Sequence, residues 1–203
     1  VDMVRNEKIY TNPEKLLYFS GMIKEENKRM NKHVETILQA ATMDKQELKL
    51  NFQPLPLHGI IQRVCDGFSL QLQEKNGRVQ LNLAAASDVV KVDEVHFTNL
   101  INNLIDNAVK YSNDNVFIAV STHSTKKHFV LRVEDNGIGM TKETVKKIFE
   151  KFYRAHTGNV HNVKGFGLGM SYVKTVIDAH KGRIKVDSTL GKGSVFTVEV
   201  PLA

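Results

Sequence analysis

Between Asn99 and Ser112 the sequence reads NLINNLIDNAVKYS, and its polar residues fall into line. At about 100° per residue, Asn99, Asn103, Asn107 and Lys110 share one narrow helical stripe, while Phe97, Leu100, Ile101, Leu104 and Ala108 cover the other side. One face packs; the other presents amides and an ammonium. An ordinary solvated face would carry Glu and Lys, because Asn is a mediocre helix former that competes for backbone hydrogen bonds. Carboxamide oxygens are hard, neutral ligands suited to Mg²⁺, and a lysine one turn on is placed to meet phosphate oxygens. The stripe points to a magnesium nucleotide.

Two glycine loops strengthen that reading. Asp135-Asn-Gly137-Ile-Gly139 follows a strand-like run, so its glycines let the backbone turn tightly and approach a flat ligand. Asp135 offers an acceptor that suits an exocyclic amine such as adenine's. Gly165-Phe-Gly167-Leu-Gly169 opens a helix, where bare backbone amides and the positive dipole end can hold phosphate. Neither loop is a Walker loop, since no Gly-Lys-Ser or Gly-Lys-Thr follows the spacing, and no Rossmann strand arrangement surrounds them.

The elements that must position these residues can be read in order. Residues Val1 to Thr11 have no clear period. Asn12-Pro13-Glu14 reads as N-cap, first helical position and acidic first turn, and no breaker follows until about Glu47. Along this helix Leu16, Phe19, Ile23, Met30, Ile37 and Ala40 or Ala41 alternate spacings of three and four, a coiled-coil-like stripe with Glu26 and His33 at the seam. About 34 residues would make a rod of about 50 Å, expected to pack against another helix or subunit. His33 is expected to be an ordinary packed or half-exposed histidine.

Leu48 to Leu55 alternates apolar and polar residues, which predicts a strand ended by Pro54 and Pro56. Leu57 to Lys75 is expected to be one amphipathic helix stopped at Asn76-Gly77, followed by a strand over Arg78 to Ala84. Strands Asn115 to Ser121 and His128 to Glu134 form a hairpin leading into the Asp135 loop. Thr141 can cap a short helix through Ile148, a helix runs from Met170 to His180, and strands Arg183 to Ser188 and Ser194 to Pro201 close the chain. Without a regular β-α-β repeat, the expected class is α+β, helices layered on one side of a sheet. The boundary is expected near Asp44 to Leu50, giving regions 1–47 and 48–203.

Composition limits the alternatives. The chain has 203 residues, 41% of them hydrophobic and 25% charged, ordinary for a globular protein. A single cysteine, Cys65, excludes a disulfide framework and a thiolate metal cluster. The net charge of +6 is scattered, with no basic block interleaved with aromatics, so no nucleic-acid partner is expected. No apolar run approaches the roughly 20 residues that span a bilayer, so no membrane contact is expected of this chain.

Taken in order, the asparagine helix, the Asp135 loop, Phe149-Glu-Lys-Phe152-Tyr153-Arg154, the Gly165 loop and Gly191-Lys-Gly193-Ser194 resemble the N, G1, F, G2 and G3 boxes of the catalytic ATP-binding domain of sensor histidine kinases. The resemblance covers about residues 48 to 203, and Pro13 to Asp44 resembles the second helix of that family's dimerisation and histidine phosphotransfer domain. It implies the two-layer Bergerat (GHKL) sandwich, a mixed sheet under helices, preceded by the long helix.

Carried over by that resemblance, Asn107 is the magnesium ligand, Asn103 its polar neighbour, Lys110 a phosphate contact and Tyr111 an adenine neighbour. Asp135 accepts from the adenine amine beside Gly137 and Gly139, while Gly165, Gly167, Leu168 and Gly169 line the phosphates, with Ser194 in the last box. Phe149 and Phe152 anchor a mobile lid over Ala155 to Lys164, and Arg154 and Lys164 are further phosphate candidates. Met170 stands where the family commonly has leucine.

The resemblance implies ATP and Mg²⁺ as cofactors, a response-regulator receiver domain as partner, a homodimer in the full-length protein, and a cytoplasmic portion of a membrane-anchored bacterial receptor. Two rival readings differ in kind. GHKL-type ATPases carry a glutamate four residues before the metal-binding asparagine; Asn103 stands there, and a carboxamide cannot act as a base. A nucleotide-free interaction module would have no use for Asn107, Asp135 and the Gly165-loop glycines together. The family's acceptor motif, histidine followed by an acidic residue and then proline, is missing, because none of the eight histidines is followed by Asp or Glu. The acceptor helix is therefore expected upstream of Val1.

Overall fold

Alternation along the strands sets the architecture. In the computed structural model, which describes residues 12–27, 30, 49–112, 114–155 and 166–202, strand after strand turns every second residue into the core. Two units divide the chain, Val1–Glu47 and Leu48–Ala203.

In the first unit the described part of the long helix, α1, covers residues 13–27 with Met30 also helical. Asn12 caps it, its Oδ1 accepting from the Lys15 N–H at 3.1 Å. Leu16, Leu17, Tyr18, Met22, Ile23 and Met30 are exposed apolar residues. The expected continuation to Glu47 and His33 lie outside the described residues.

The second unit holds a two-stranded and a five-stranded sheet. Strand β1 (Gln53–Pro56) pairs antiparallel with β3 (Val89–Val92), and β2 (Arg78–Leu83), β4 (Phe117–Ser124), β5 (His128–Asp135), β6 (Arg183–Thr189) and β7 (Gly193–Pro201) form the order β2-β4-β5-β7-β6. β2 runs parallel to β4; the other neighbours are antiparallel. A parallel pair cannot be joined by a tight turn. The crossover carries β3 and α4 (Glu94–Lys110), and this is how the asparagine helix comes to lie over the sheet.

Helices α2 (Leu57–Gly67), α4 and α6 (Gly169–Ala179) supply Leu57, Ile61, Phe97, Leu100, Ile101, Leu104, Val173 and Ile177 to the core. The sheet answers with Ile118, Val120, Phe129, Leu131, Val133, Phe196 and Val198. The opposite face carries Gln80, Arg132, Glu134, Thr197 and Lys185. The expected α+β layering is present.

Three expectations on local structure need correction. The first strand is shorter and later than Leu48 to Leu55 and contains both prolines, which a strand paired on one side tolerates because proline lacks only an N–H. The helix expected over Leu57 to Lys75 breaks at Phe68 (φ −95°, ψ 0°), whose ring is buried, leaving the short helix α3 (Ser69–Glu74). Strand β3 was not anticipated, since four residues give too short a period. Cys65 is buried on α2, and burial pushes its thiol up to about 11, so it is an inert core group.

Candidate active site

Strand register builds the first wall. Asp135 and Ser194 are paired residues at the ends of neighbouring strands β5 and β7, both on the helix-facing side of the sheet, and Ser188 on β6 pairs with Ser194. The Asp135 side chain is buried, and its Oδ1 accepts from the Gly137 N–H at 2.9 Å and the Ser194 N–H at 3.2 Å. Oδ2 takes no hydrogen bond from a described residue. Burial pushes this carboxyl above its ordinary range, the two backbone donors work against that, and Glu134 adds to it. One carboxylate oxygen is fixed by two backbone donors, and the other takes no bond from a described residue.

Helix α4 forms the second wall. Asp93 caps it, Oδ1 accepting from the His96 N–H at 2.9 Å, with Glu94 in its first turn and Lys110 in its last, as the helix dipole favours. Its stripe divides by what each side chain does. Asn103 donates from Nδ2 to the Asn99 carbonyl at 2.8 Å. Asn107 is half-buried, and its carboxamide bonds to no described residue. Lys110 pairs with Asp106 one turn back on the same helix.

The glycines let these walls meet. A methyl group on Gly169 would lie 2.6 Å from Asn103 Oδ1, so the start of α6 touches the middle of α4. On Gly137 it would lie 2.7 Å from the Tyr111 carbonyl and 2.8 Å from Asp135 Oδ1, and the Ile138 N–H donates to that same carbonyl at 2.9 Å. The Asp135 loop is thus laced to the C-terminal end of α4. Gly193, at φ +94°, leaves space for the Asp135 carbonyl, which a methyl group would approach to 1.9 Å.

The first turn of α6 differs from those of α4 and α5 (Lys142–Lys147). Asp93 and Thr141 cap the latter two by side chain, whereas Leu168 at the start of α6 supplies none. Among the described residues no side chain caps its leading N–H groups, which lie beside Asn103. The Gly167 carbonyl accepts from the Phe152 N–H at 3.0 Å, which docks this loop on the Phe149 segment.

Phe152 does so by its backbone. Its ring is 67% exposed and its φ is +63°, while Phe149 is half-buried; the lid that the two are expected to anchor falls, but for Ala155, outside the described residues. Arg154 is exposed. Lys164 and Gly165, and all of the lid but Ala155, lie outside the described residues. The structure brings together Asn103, Asn107, Lys110, Tyr111, Asp135, Gly137, Gly139, Leu168, Gly169 and Ser194 around α4 and the two loops. Leu168 is buried, and so is Ser194, whose contribution is a backbone N–H behind Asp135.

Sequence reasoning missed three residues that hold the walls of the site, two of them at the ends of α4 and one beside the Asp135 loop. Lys75 donates from Nζ to the Val109 carbonyl at 2.8 Å and the Ser112 carbonyl at 2.9 Å, closing the helix's C-terminal end. His180 closes the other end: its Nε2 accepts from the Asp93 N–H at 3.1 Å while Nδ1 donates to the Val176 carbonyl at 2.7 Å. A carbonyl only accepts, so the ring is neutral with its proton on Nδ1. Burial holds the imidazole below its ordinary 6.5, outweighing the Val176 carbonyl and the Asp93 carboxylate. Ser188 is the third. The partners of all three are remote in sequence, so no local pattern marks them.

The sequence model of the family described as "Histidine kinase-, DNA gyrase B-, and HSP90-like ATPase" matches residues 92–203. "Sensor protein RprX" of Bacteroides fragilis (strain YCH46) is 41% identical over 202 residues, 98% of this chain and 39% of that protein. The chain thus spans about two fifths of the length of that curated relative. Among solved structures, full-length ShkA in complex with AMPPNP superposes with a TM-score of 0.81 at 22% identity, over 95% of this chain and 40% of that one. Histidine kinase ThkA in complex with response regulator protein TrrA gives 0.71 at 23% identity, over 95% and 53%. These structural likenesses bear on the fold, and the family model covers the end of β3 and everything after it, from the asparagine helix through both glycine loops to the last strand; this chain belongs to the family of histidine kinase-, DNA gyrase B- and HSP90-like ATPases.

Proposed function

We propose that the chain is the ATP-binding catalytic part of a two-component sensor histidine kinase, transferring the γ-phosphoryl group of ATP to a histidine that this sequence does not contain. The observation that carries the reading is Asp135: a buried carboxylate tied by one oxygen to two backbone N–H groups and presenting the other as an acceptor. Adenine's exocyclic amine is the donor it suits, and guanine, with a carbonyl at that position, would set acceptor against acceptor.

The remaining groups divide the work. Tyr111 and the Gly137–Gly139 turn flank the base, Asn103 and the uncapped start of α6 face the phosphates, and Lys110 exchanges Asp106 for a phosphate oxygen. Lys164, Gly165 and Arg154 complete the phosphate side in this proposal. Mg²⁺ fits the donor set. Among the described residues no cluster of three His, Cys, Asp or Glu exists, and Mg²⁺ typically binds through few protein ligands together with phosphates and waters. Asn107 would hold it, and the ion would supply charge neutralisation at the phosphates.

Transfer rather than hydrolysis follows from Asn103. Water needs a base to attack phosphorus, and none of the three amides of the stripe can take a proton. A neutral imidazole already has a lone pair. Its nitrogen bonds to the γ-phosphorus as the bond to the bridging oxygen breaks and ADP leaves. The relative named a sensor protein and the neighbour bound to a response regulator support relay to a receiver domain. The exposed apolar residues of α1 support residues 1–47 as the second helix of a dimerisation and phosphotransfer region, in a homodimer of the full-length protein. Among the described residues no helix is long and apolar enough to cross a membrane; a cytoplasmic portion of a membrane-anchored bacterial receptor is the setting in which the proposed kinase would work.

Incubation with γ-labelled ATP tests the proposal. The chain alone should stay unlabelled, His33 included, while a separate fragment carrying a matching acceptor helix should gain acid-labile phosphate in its presence. Phosphate release to water without any transfer would favour the ATPase reading instead.

A further inference from the structure

Register places Asp135, Ser194 and Ser188 in one row across β5, β7 and β6, and the row ends on a hydroxyl with an unusual load of bonds. Ser188 Oγ accepts from the Met140 N–H at 2.8 Å, donates to the Gly193 carbonyl at 2.9 Å, and lies 3.0 Å from Ser194 Oγ. One hydroxyl has one proton. With that proton on the Gly193 carbonyl, the Ser194 hydroxyl must be the donor to Ser188, which then accepts twice and donates once.

Those partners lie on the two segments that aim Asp135. Met140 directly follows Gly139, at the end of the Asp135 loop. Gly193 and Ser194 begin β7, and the Ser194 N–H is one of the two donors that fix Asp135 Oδ1. Elsewhere the two segments are joined by backbone alone: the Gly191 N–H donates to the Ile138 carbonyl at 2.7 Å, and Gly139 packs where a methyl group would lie 2.0 Å from the Thr189 carbonyl. Among the described residues Ser188 is, beside Asp135 itself, the side chain that ties the loop to the turn.

We propose that Ser188 is a positioning residue for nucleobase selection: through Ser194 and Met140 it holds the Asp135 carboxylate at the angle that receives an exocyclic amine. It touches no nucleotide itself. Without it the Met140 N–H and the Ser194 hydroxyl lose their partner in a half-buried place, the β7 turn loosens, and Asp135 Oδ2 is no longer held on one line. Loss should fall on discrimination between bases and leave phosphate and metal contacts alone.

This rests on Asp135 as the amine acceptor, and the experiment separates the two ideas. Calorimetry with the full chain and Mg²⁺ compares ATP with purine riboside triphosphate, which lacks the amine. Wild type should prefer ATP by about tenfold or more, the size of a lost hydrogen bond to a charged group. Ser188→Ala should weaken ATP about tenfold, leave the amine-free analogue within about twofold, and so erase the preference. Ser188→Thr, which keeps donor and acceptor, should restore it. Ser188→Cys, similar in volume but a poor hydrogen-bonding group, should behave as Ser188→Ala and serves if the alanine variant folds poorly.

Equal weakening of both nucleotides, or a full preference in Ser188→Ala and Ser188→Cys, would overturn the role of Ser188. If Asp135→Ala keeps the preference, the reading of Asp135 itself is wrong; if Asp135→Ala loses it and both Ser188 variants keep it, only Ser188 has been misassigned.

Discussion

Replacing Gly169 with alanine should separate nucleotide binding from stability. The new methyl group would sit 2.6 Å from Asn103 Oδ1, about 0.8 Å inside the shortest ordinary contact of 3.4 Å, and 3.5 Å from Cγ. Gly169 has no positive φ, so the backbone can keep its shape and the Asn103 side chain must move. Moving it breaks the 2.8 Å bond from Nδ2 to the Asn99 carbonyl. That costs about 0.5–1.5 kcal/mol, offset by up to about 1 kcal/mol from replacing glycine with alanine in a helix. The net cost in stability is then at most about 1.5 kcal/mol, and the melting temperature should move by no more than about 6 °C. Binding has no such offset, because the methyl group fills the cradle at the start of α6 and the displaced amide leaves the phosphates. Affinity for Mg-ATP should fall about tenfold or more, equivalent to about 1.4 kcal/mol. Thermal melting and calorimetry on one preparation give both numbers. Undiminished ATP affinity would show that the contact between Gly169 and Asn103 is no part of the site, and a fall in melting temperature beyond about 8 °C would show that the side chain cannot yield as argued.

At Gly193 the same substitution meets backbone instead of side chain. The methyl group would lie 1.9 Å from the Asp135 carbonyl at φ +94°, so Gly193→Ala should cost about 3 kcal/mol or more and lower the melting temperature by more than about 6 °C. His180 makes stability depend on pH. Its folded value lies below 6.5, so below that pH the unfolded chain holds more proton; stability is present above pH 6.5 and is lost as pH falls, by at most about 1.4 kcal/mol per pH unit. Asp93, pushed up by burial but held below its ordinary 3.8 by the His96 and Asn51 N–H groups, titrates too low to contribute there. Urea midpoints between pH 7.5 and 5.5 should therefore fall for the wild type and stay flatter for His180→Gln. Asn107→Ala should remove most of the Mg²⁺ dependence of ATP affinity with little effect on melting, since that side chain bonds to no described residue; a variant that keeps the full Mg²⁺ response would take the metal away from Asn107.

Much of this site was legible because its determinants are local. The α4 stripe is written within one helix, the bends at Gly137, Gly139 and Gly167 within a few residues each, and the Asn12 and Thr141 caps at single positions. What the sequence hid is what register and crossover bring together. His180 reaches the Asp93 N–H across 87 positions and Lys75 the Val109 carbonyl across 34. Ser188 meets Met140 across 48, through a sheet whose strand order differs from chain order. Strand β3 and the break at Phe68 escaped for a different reason: four residues hold too little period, and the amphipathic pattern from Leu57 runs on through a residue that leaves the helix to bury its ring.

In the proposed site an adenine nucleotide with Mg²⁺ sits between α4 and the two glycine loops, read by Asp135. Titration of the wild-type chain with ATP and GTP, with and without Mg²⁺, and of Asp135→Ala with both, tests it most directly. ATP should bind once per chain, more tightly with Mg²⁺ and at least about tenfold more tightly than GTP, and Asp135→Ala should lose that preference. No binding of ATP in the presence of Mg²⁺, or equal affinity for the two nucleotides in the wild type, would contradict it.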